Sequence, residues 1–170
     1  SVCIRELLQN AVDAVWARFA NAASEKGKII CRRYEDKRDG EVFEVIEVED
    51  NGIGMDEEII EDHLLKVAGE PFYLTGRFRR EHPEAAKVMA PVAQFGIGFL
   101  SDFMIAEAVE VFTRYDAPDK PAEPIHIEVE SFDKGIVYHE PVMTRFPEAI
   151  RSGLSTCIRL RLHEKLTSWP

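Results

Sequence analysis

Arg5-Glu6-Leu7-Leu8-Gln9-Asn10-Ala11-Val12-Asp13-Ala14 is the stretch from which the architecture is read. Ile4, Leu7, Leu8, Ala11, Val12, Val15 and Phe19 recur at helical spacing through and beyond it, so residues from about 2 to 23 are expected to form an amphipathic helix. Glu6, Asn10 and Asp13 lie four and three positions apart, which places all three side chains on one face, opposite the apolar one. A helix with one apolar face must bury it against a second layer, and the rest of the chain supplies strands.

Residues 28–34 and 41–49 alternate or run β-branched, with the turn cluster Asp36-Lys37-Arg38-Asp39-Gly40 between them, and predict an antiparallel hairpin. Asp50-Asn51-Gly52-Ile53-Gly54 ends that pattern. Acidic Asp56, Glu57 and Glu58 then suit the first turn of a helix running to about Val67. Residues 69–93 show no clean period and carry Gly69, Pro71, Gly76, Pro83 and Pro91; a stretch of that length is read as a lid segment rather than a plain connection. Gln94-Phe95-Gly96-Ile97-Gly98-Phe99 opens a short helix to about Ala106. Strands follow at 108–115, 124–131, 135–141 and 154–163. This order predicts one α+β domain over 1–170, a two-layer sandwich with helices on one face of a mixed β-sheet.

Composition narrows the function. The 170 residues are 45% hydrophobic and carry 31 acidic against 21 basic residues, a net charge of −10. No nucleic-acid partner is expected, because such affinity rests on basic phosphate contacts. No apolar run approaches the roughly 20 residues that span a bilayer, so no membrane association is expected. The chain opens on a helical pattern without Met or a leader, which predicts a cytoplasmic protein and the N-terminal fragment of a longer one. Cys3, Cys31 and Cys157 match neither a zinc spacing nor a disulfide framework and are expected to be reduced and structural.

Three segments carry chemistry. The carboxamide of Asn10 suits hard Mg²⁺, which keeps most of its waters and takes few protein ligands besides phosphates. Glu6, one turn away, is placed to orient or deprotonate a water. Asp50 ends a strand where two glycines free the backbone to approach a planar ligand, and its carboxylate can accept from an exocyclic amine such as that of adenine. The glycines of Gln94 to Ser101 precede a helix, whose first N–H groups and dipole favour an anion. Each has a bland counterpart: a solvated helix face, an Asn-Gly turn, a hinge. No Walker spacing and no GxGxxG after a strand occurs.

The ordered trio resembles the GHKL superfamily of ATPases (gyrase, heat-shock chaperone, histidine kinase, MutL), and most closely the ATP-binding domain of the heat shock protein 90 class, including its bacterial form. The family runs RELISNASDA, DNGIGM and GQFGVGFYS parallel RELLQNAVDA, EDNGIGM and AQFGIGFLS here, and the likeness extends from Arg5 to about Arg161. The resemblance implies the Bergerat fold, ATP or ADP with Mg²⁺ as ligands, and hydrolysis coupled to a chaperone-like conformational change. It further implies a homodimer of the full-length protein and client proteins as partners. By matched position, Glu6 would be the general base, Asn10 the Mg²⁺ ligand and Asp13 a pocket residue. Asp50 would bind the adenine amine, backed by Thr156, with Gly54 and Met55 lining the base. Gly96, Gly98 and Phe99 would meet the phosphates.

Departures from the family pattern are Ser155 for a glycine, Ala93 at the start of the second glycine box, Gly69 for a lysine, and His63 at the position of a nucleotide-contacting asparagine. Arg77, Arg79, Arg80 and Lys87 are candidates to replace the lost lysine contact. Glu6 favours hydrolysis over the phosphotransfer of histidine kinases, which lack it. A nucleotide-gated module with little or no turnover, and a DNA-acting gyrase- or MutL-type ATPase, are the competing expectations.

Overall fold

The computed structural model describes residues 2–20, 26–66, 69–91, 105–116, 122–131 and 134–163. Helix α1 spans Val2–Phe19 and is followed by the hairpin β1 (Ile29–Arg38) and β2 (Glu41–Asp50). Its turn is narrower than the acidic-basic cluster suggests. Asp39 and Gly40 alone leave the ladder, at φ 49° and 88°, the paired left-handed conformation of a two-residue hairpin turn.

Helix α2 (Glu57–Ile59) is capped by Asp56, whose carboxylate accepts from the Ile59 N–H at 3.0 Å. It widens into a π turn at Ile60–Leu64, closed by Leu65 N–H donating to the Ile60 carbonyl at 2.9 Å. The segment that shows no clean period and is read as a lid holds a 3-10 turn at Phe72–Leu74 and two short helices, α3 (Gly76–Glu81) and α4 (Pro83–Val88). Thr75 caps α3 by accepting from Phe78 N–H at 3.1 Å, and Pro83 opens α4. Helices of six residues are shorter than the window in which a 3.6-residue period can be read.

Strands β3 (Ala106–Thr113), β4 (Ile125–Ser131) and β5 (Gly135–His139), the short helix α5 (Glu148–Arg151) and β6 (Thr156–Leu162) complete the described chain. The sheet order is β1-β2-β6-β3-β4-β5, and each pairing is antiparallel rather than mixed. Since β6 is antiparallel to both β2 and β3, those two run in the same direction with β6 between them. The long excursion from Asn51 to Ile105 is therefore a crossover, and it carries most of the walls of the site.

The predicted two-layer α+β architecture is what the chain adopts. One sheet face, formed by Ile46, Val48, Val109, Val111, Ile127, Val129, Ile158 and Leu160, packs against Ile4, Leu7 and Ala11 of α1 and Ile60 of the π turn. Successive side chains alternate faces, so Glu47, Glu49, Cys157, Arg159 and Glu110 occupy the other one. There Arg159 Nε pairs with Glu47 at 2.5 Å, Arg38 pairs with Glu110 at 2.7 Å, and Arg32 pairs with both Glu47 and Glu49. Helix α5 lies on this second face, where Phe146 and Ile150 cover Phe112 and Cys157.

A second apolar cluster, Ile59, Phe72, Phe78, Ala85 and Tyr115, joins α3 and α4 to the loop after β3. Arg77 ties it together: its guanidinium binds Asp56, Glu58 (3.2 Å) and Glu81 (2.9 Å) and lies 5.3 Å from the Tyr115 ring centroid. Burial opposes ionisation of Asp56, yet hydrogen bonds from Arg77 and Ile59 N–H hold its carboxyl below the ordinary range. The two neighbouring isoleucines of α2 and its π turn divide between the clusters, Ile59 here and Ile60 in the main core. Among the described residues, no helix is long and apolar enough to cross a membrane.

Candidate functional site

At one end of the sheet's helix-covered face, Asp50, Thr156 and Thr113 stand side by side in register across β2, β6 and β3. The two threonine hydroxyls are 3.1 Å apart, and Thr113 Oγ1 also accepts from Met55 N–H at 3.0 Å. Above this row α1 and the crossover leave a cavity that, with its open mouth, encloses about 1040 Å³. Glu6, Asn10, Ala14, Val48, Asp50, Ile53, Gly54, Met55, His63 and Thr156 are among its lining residues. Glu6, Asn10, Asp50, Gly54, Met55, His63 and Thr156, all singled out in the sequence, thus share one cavity, although they come from four separate segments. A largely apolar, concave space with a few convergent polar groups is the usual form of a small-molecule site.

The glycine turn after β2 has a second role that spacing alone does not reveal. A Cβ on Gly52 would lie 2.5 Å from the Ala14 backbone, and one on Gly54 would lie 2.0 Å from the Arg114 carbonyl oxygen. The two glycines therefore let the turn sit between α1 and the end of β3, with Ile53 N–H donating to Ala14 O at 3.1 Å. Gly54 also has φ 66°, a conformation other L-residues adopt at a cost. Gly54→Ala combines that cost with a backbone overlap and is expected to lower stability by about 3 kcal/mol. Urea unfolding measures it, and a loss below about 1 kcal/mol would show that the turn relaxes freely.

Asp50 is 4% exposed and accepts from Gly52 N–H at 2.8 Å. Burial pushes its carboxyl up to about 7, against the opposing pull of that N–H and of the Arg18 charge. Tyr73, which periodicity did not single out, also lines the cavity. Burial and the negative charges of Asp13 and Asp50 raise its hydroxyl well above the ordinary range, so it remains a donor.

The predicted polar face of α1 is divided. Glu6 and Asn10 face the cavity, whereas Asp13 is fully buried and is not among the lining residues. Val12, placed by periodicity on the apolar face, is 42% exposed. The cavity lies under α1, so polar side chains turn inward there. His63 lines the wall with Nδ1 held 2.7 Å from the Glu70 carbonyl, an acceptor, so Nδ1 is the donor of that contact.

Gly69 contributes to the wall, but Arg77, Arg79, Arg80 and Lys87 do not. Arg77 is taken up by three carboxylates, and Lys87 pairs with Glu84 at 2.5 Å. Gly96, Gly98 and Phe99, with Ala93, lie outside the described residues. Glu47, Glu49 and Cys157 offer ligand atoms within 4.8 Å of one another on the opposite sheet face, where Arg32 and Arg159 neutralise the two carboxylates.

Comparison with known proteins gives this geometry a context. Residues 2–100 match the family described as histidine kinase-, DNA gyrase B- and HSP90-like ATPase. The chaperone protein HtpG of Geobacter metallireducens is 30% identical over an alignment covering 99% of this chain and 24% of that protein. HtpG of Shewanella amazonensis is 34% identical over 66% of this chain and 18% of its own length. HtpG of Borreliella burgdorferi is 33% identical over the same shares. The chain thus spans a quarter or less of the length of these relatives.

Proposed function

Because the chain belongs to the family of histidine kinase-, DNA gyrase B- and HSP90-like ATPases, we propose that its cavity binds ATP and ADP with Mg²⁺ and that the full-length protein hydrolyses ATP to drive a chaperone-like conformational change. The observation that carries this reading is the convergence of Glu6, Asn10, Asp50 and Thr156 on one cavity. Asp50 accepts from the exocyclic amine of adenine, with Thr156 beside it in register on β6. Gly54 and Met55 flank the base, and His63 and Tyr73 close the wall around it.

A carboxamide oxygen at the cavity wall fits a hard cation. Asn10 would hold Mg²⁺, which when bound offsets phosphate charge. Glu6 orients the attacking water and takes its proton. Asp13 supports the pocket from within the core. Gly96, Gly98 and Phe99 supply the phosphate contacts, and residues 69–93 act as the lid. The whole protein works as a cytoplasmic homodimer on client proteins; the chaperone names of three relatives support the client reading, and the acidic balance of the chain weighs against a DNA-acting role. The lid couples to turnover because the closed form binds ATP more tightly than the open one.

Calorimetric titration of the domain with ATP, ADP and GTP tests the reading directly. ATP and ADP are expected to bind with Mg²⁺, with GTP at least about tenfold weaker, since an oxygen replaces the amine that Asp50 receives. Equal binding of GTP, or no heat with either adenine nucleotide, overturns it.

A further inference from the structure

Arg18 lies on α1 two turns beyond Asn10, outside the cavity lining, and belongs to none of the motifs. Its Nη1 donates to three oxygens: the Asn51 carbonyl at 3.1 Å, the Gly52 carbonyl at 3.3 Å and the Ser155 hydroxyl at 3.1 Å. Ser155 in turn donates to the Gly52 carbonyl at 2.5 Å, and its own N–H donates to the Asp50 carbonyl at 2.9 Å. Nε of Arg18 pairs with Asp116 at 3.4 Å, and Asp116 N–H donates to Ile53 O at 2.7 Å. One side chain thus connects α1, the glycine turn, the residue before β6 and the loop after β3. All four meet behind Asp50.

We propose that Arg18 is a positioning residue for purine recognition: it clamps the Asn51-Gly52 turn to Ser155, fixing the direction of the Asp50 carboxylate, and it sets a positive charge on the turn from which this carboxylate accepts a hydrogen bond. The proposal rests on the reading of the cavity as an adenine site. The serine at position 155 adds a hydroxyl to the clamp that a glycine there would lack. Among the described residues, two titratable groups exert charge on or receive it from Asp50, Arg18 from α1 and Tyr73 from the 3-10 turn, and Asp13 acts on Tyr73. Tyr73 stays neutral through the working range, so among the described residues Arg18 is the group whose removal changes the field at Asp50. Gly52 N–H contributes a fixed dipole that no side-chain substitution alters.

The test uses Arg18→Met, which keeps an unbranched apolar stem and removes the charge and the fork, beside Arg18→Lys and Ser155→Ala. Carbon-13 titration of the Asp50 carboxyl in the free protein is expected to show its midpoint rising by about one pH unit in Arg18→Met, with Arg18→Lys close to wild type. ADP affinity in Arg18→Met is expected to fall about tenfold near pH 6.5 and markedly less near pH 9, where Asp50 is ionised in both proteins. Arg18→Lys and Ser155→Ala keep the charge and loosen the clamp, so each loses about threefold at both pH values. An unmoved Asp50 midpoint, or an ADP loss equal at both pH values, overturns the proposal. Should Arg18→Met fail to fold, wild-type ADP affinity in both Arg18→Lys and Ser155→Ala overturns it. A shifted midpoint in a protein that binds no ADP supports the charge role of Arg18 and removes the nucleotide reading instead.

Discussion

Asp50→Asn is expected to weaken ATP binding by about a hundredfold or more while making the ligand-free domain more stable at neutral pH. Both effects come from one buried carboxylate. Asparagine keeps an oxygen for the Gly52 N–H, but it turns an NH₂ toward the exocyclic amine, and two donors meet where a donor met an acceptor. It also removes a charge that the empty cavity solvates poorly.

The sign of the stability effect follows from linkage. The carboxyl rises from an ordinary 3.8 to about 7 on folding, so between these values the folded protein binds more protons than the unfolded chain. The stability contributed by protonated Asp50 is complete below about pH 4 and is lost as pH rises to about 7, in total on the order of 4 kcal/mol. Urea unfolding near pH 5 and pH 8 should show wild type losing ground to Asp50→Asn across that interval. An asparagine variant less stable than wild type near pH 8 would contradict the buried-charge account. Unchanged ATP affinity would remove Asp50 from base recognition. Since the amine favours the ionised carboxylate, wild-type affinity should also fall below pH 7, approaching tenfold per unit.

Glu6→Ala in the full-length protein should leave ATP affinity within about threefold and reduce turnover by about 10²- to 10⁴-fold, the range of a lost general base. Its carboxylate lies at the cavity wall, one helical turn from Asn10, with 12% of its side chain exposed. Its ion-pair partner is Arg5, 3.5 Å away and 64% exposed, a contact too weak to immobilise it. Single-turnover hydrolysis beside equilibrium binding separates the two quantities. Retained turnover rejects Glu6 as the base. Lost binding assigns it to holding the nucleotide instead.

Much of the architecture could be read from local pattern. Apolar spacing gave α1, alternation gave the β1–β2 hairpin and β6, and the acidic run after Gly54 gave the start of α2. The cavity was legible to the extent that its residues fall in motifs: Glu6 and Asn10 by helical spacing, Asp50 by its place at a strand end. What escaped depends on contacts distant in sequence. Nothing local places β6 between β2 and β3, yet that insertion sets Thr156 beside Asp50. The glycines of the turn read as openings toward a ligand, whereas their close neighbours are the backbones of Ala14 and Arg114. Asp13 shares a helical face with Glu6 and Asn10 but is buried away from the cavity. Arg18 and Tyr73 carried no motif, and their roles arise from partners as remote as Ser155, with Arg18 connected across 137 positions.

The strand order has a consequence for how the protein is made. The strand emerging last from the ribosome among those described is a central one, so the sheet's middle position must stay vacant until residues 156–162 arrive. During synthesis the exposed ladder edges of β2 and β3 have no permanent neighbour, a state prone to wrong pairing and to capture by other chains. Completion of the sheet and assembly of the pocket are then a single late event, because the same insertion that closes the backbone ladder also delivers Thr156. A nascent chain shorter than this has neither.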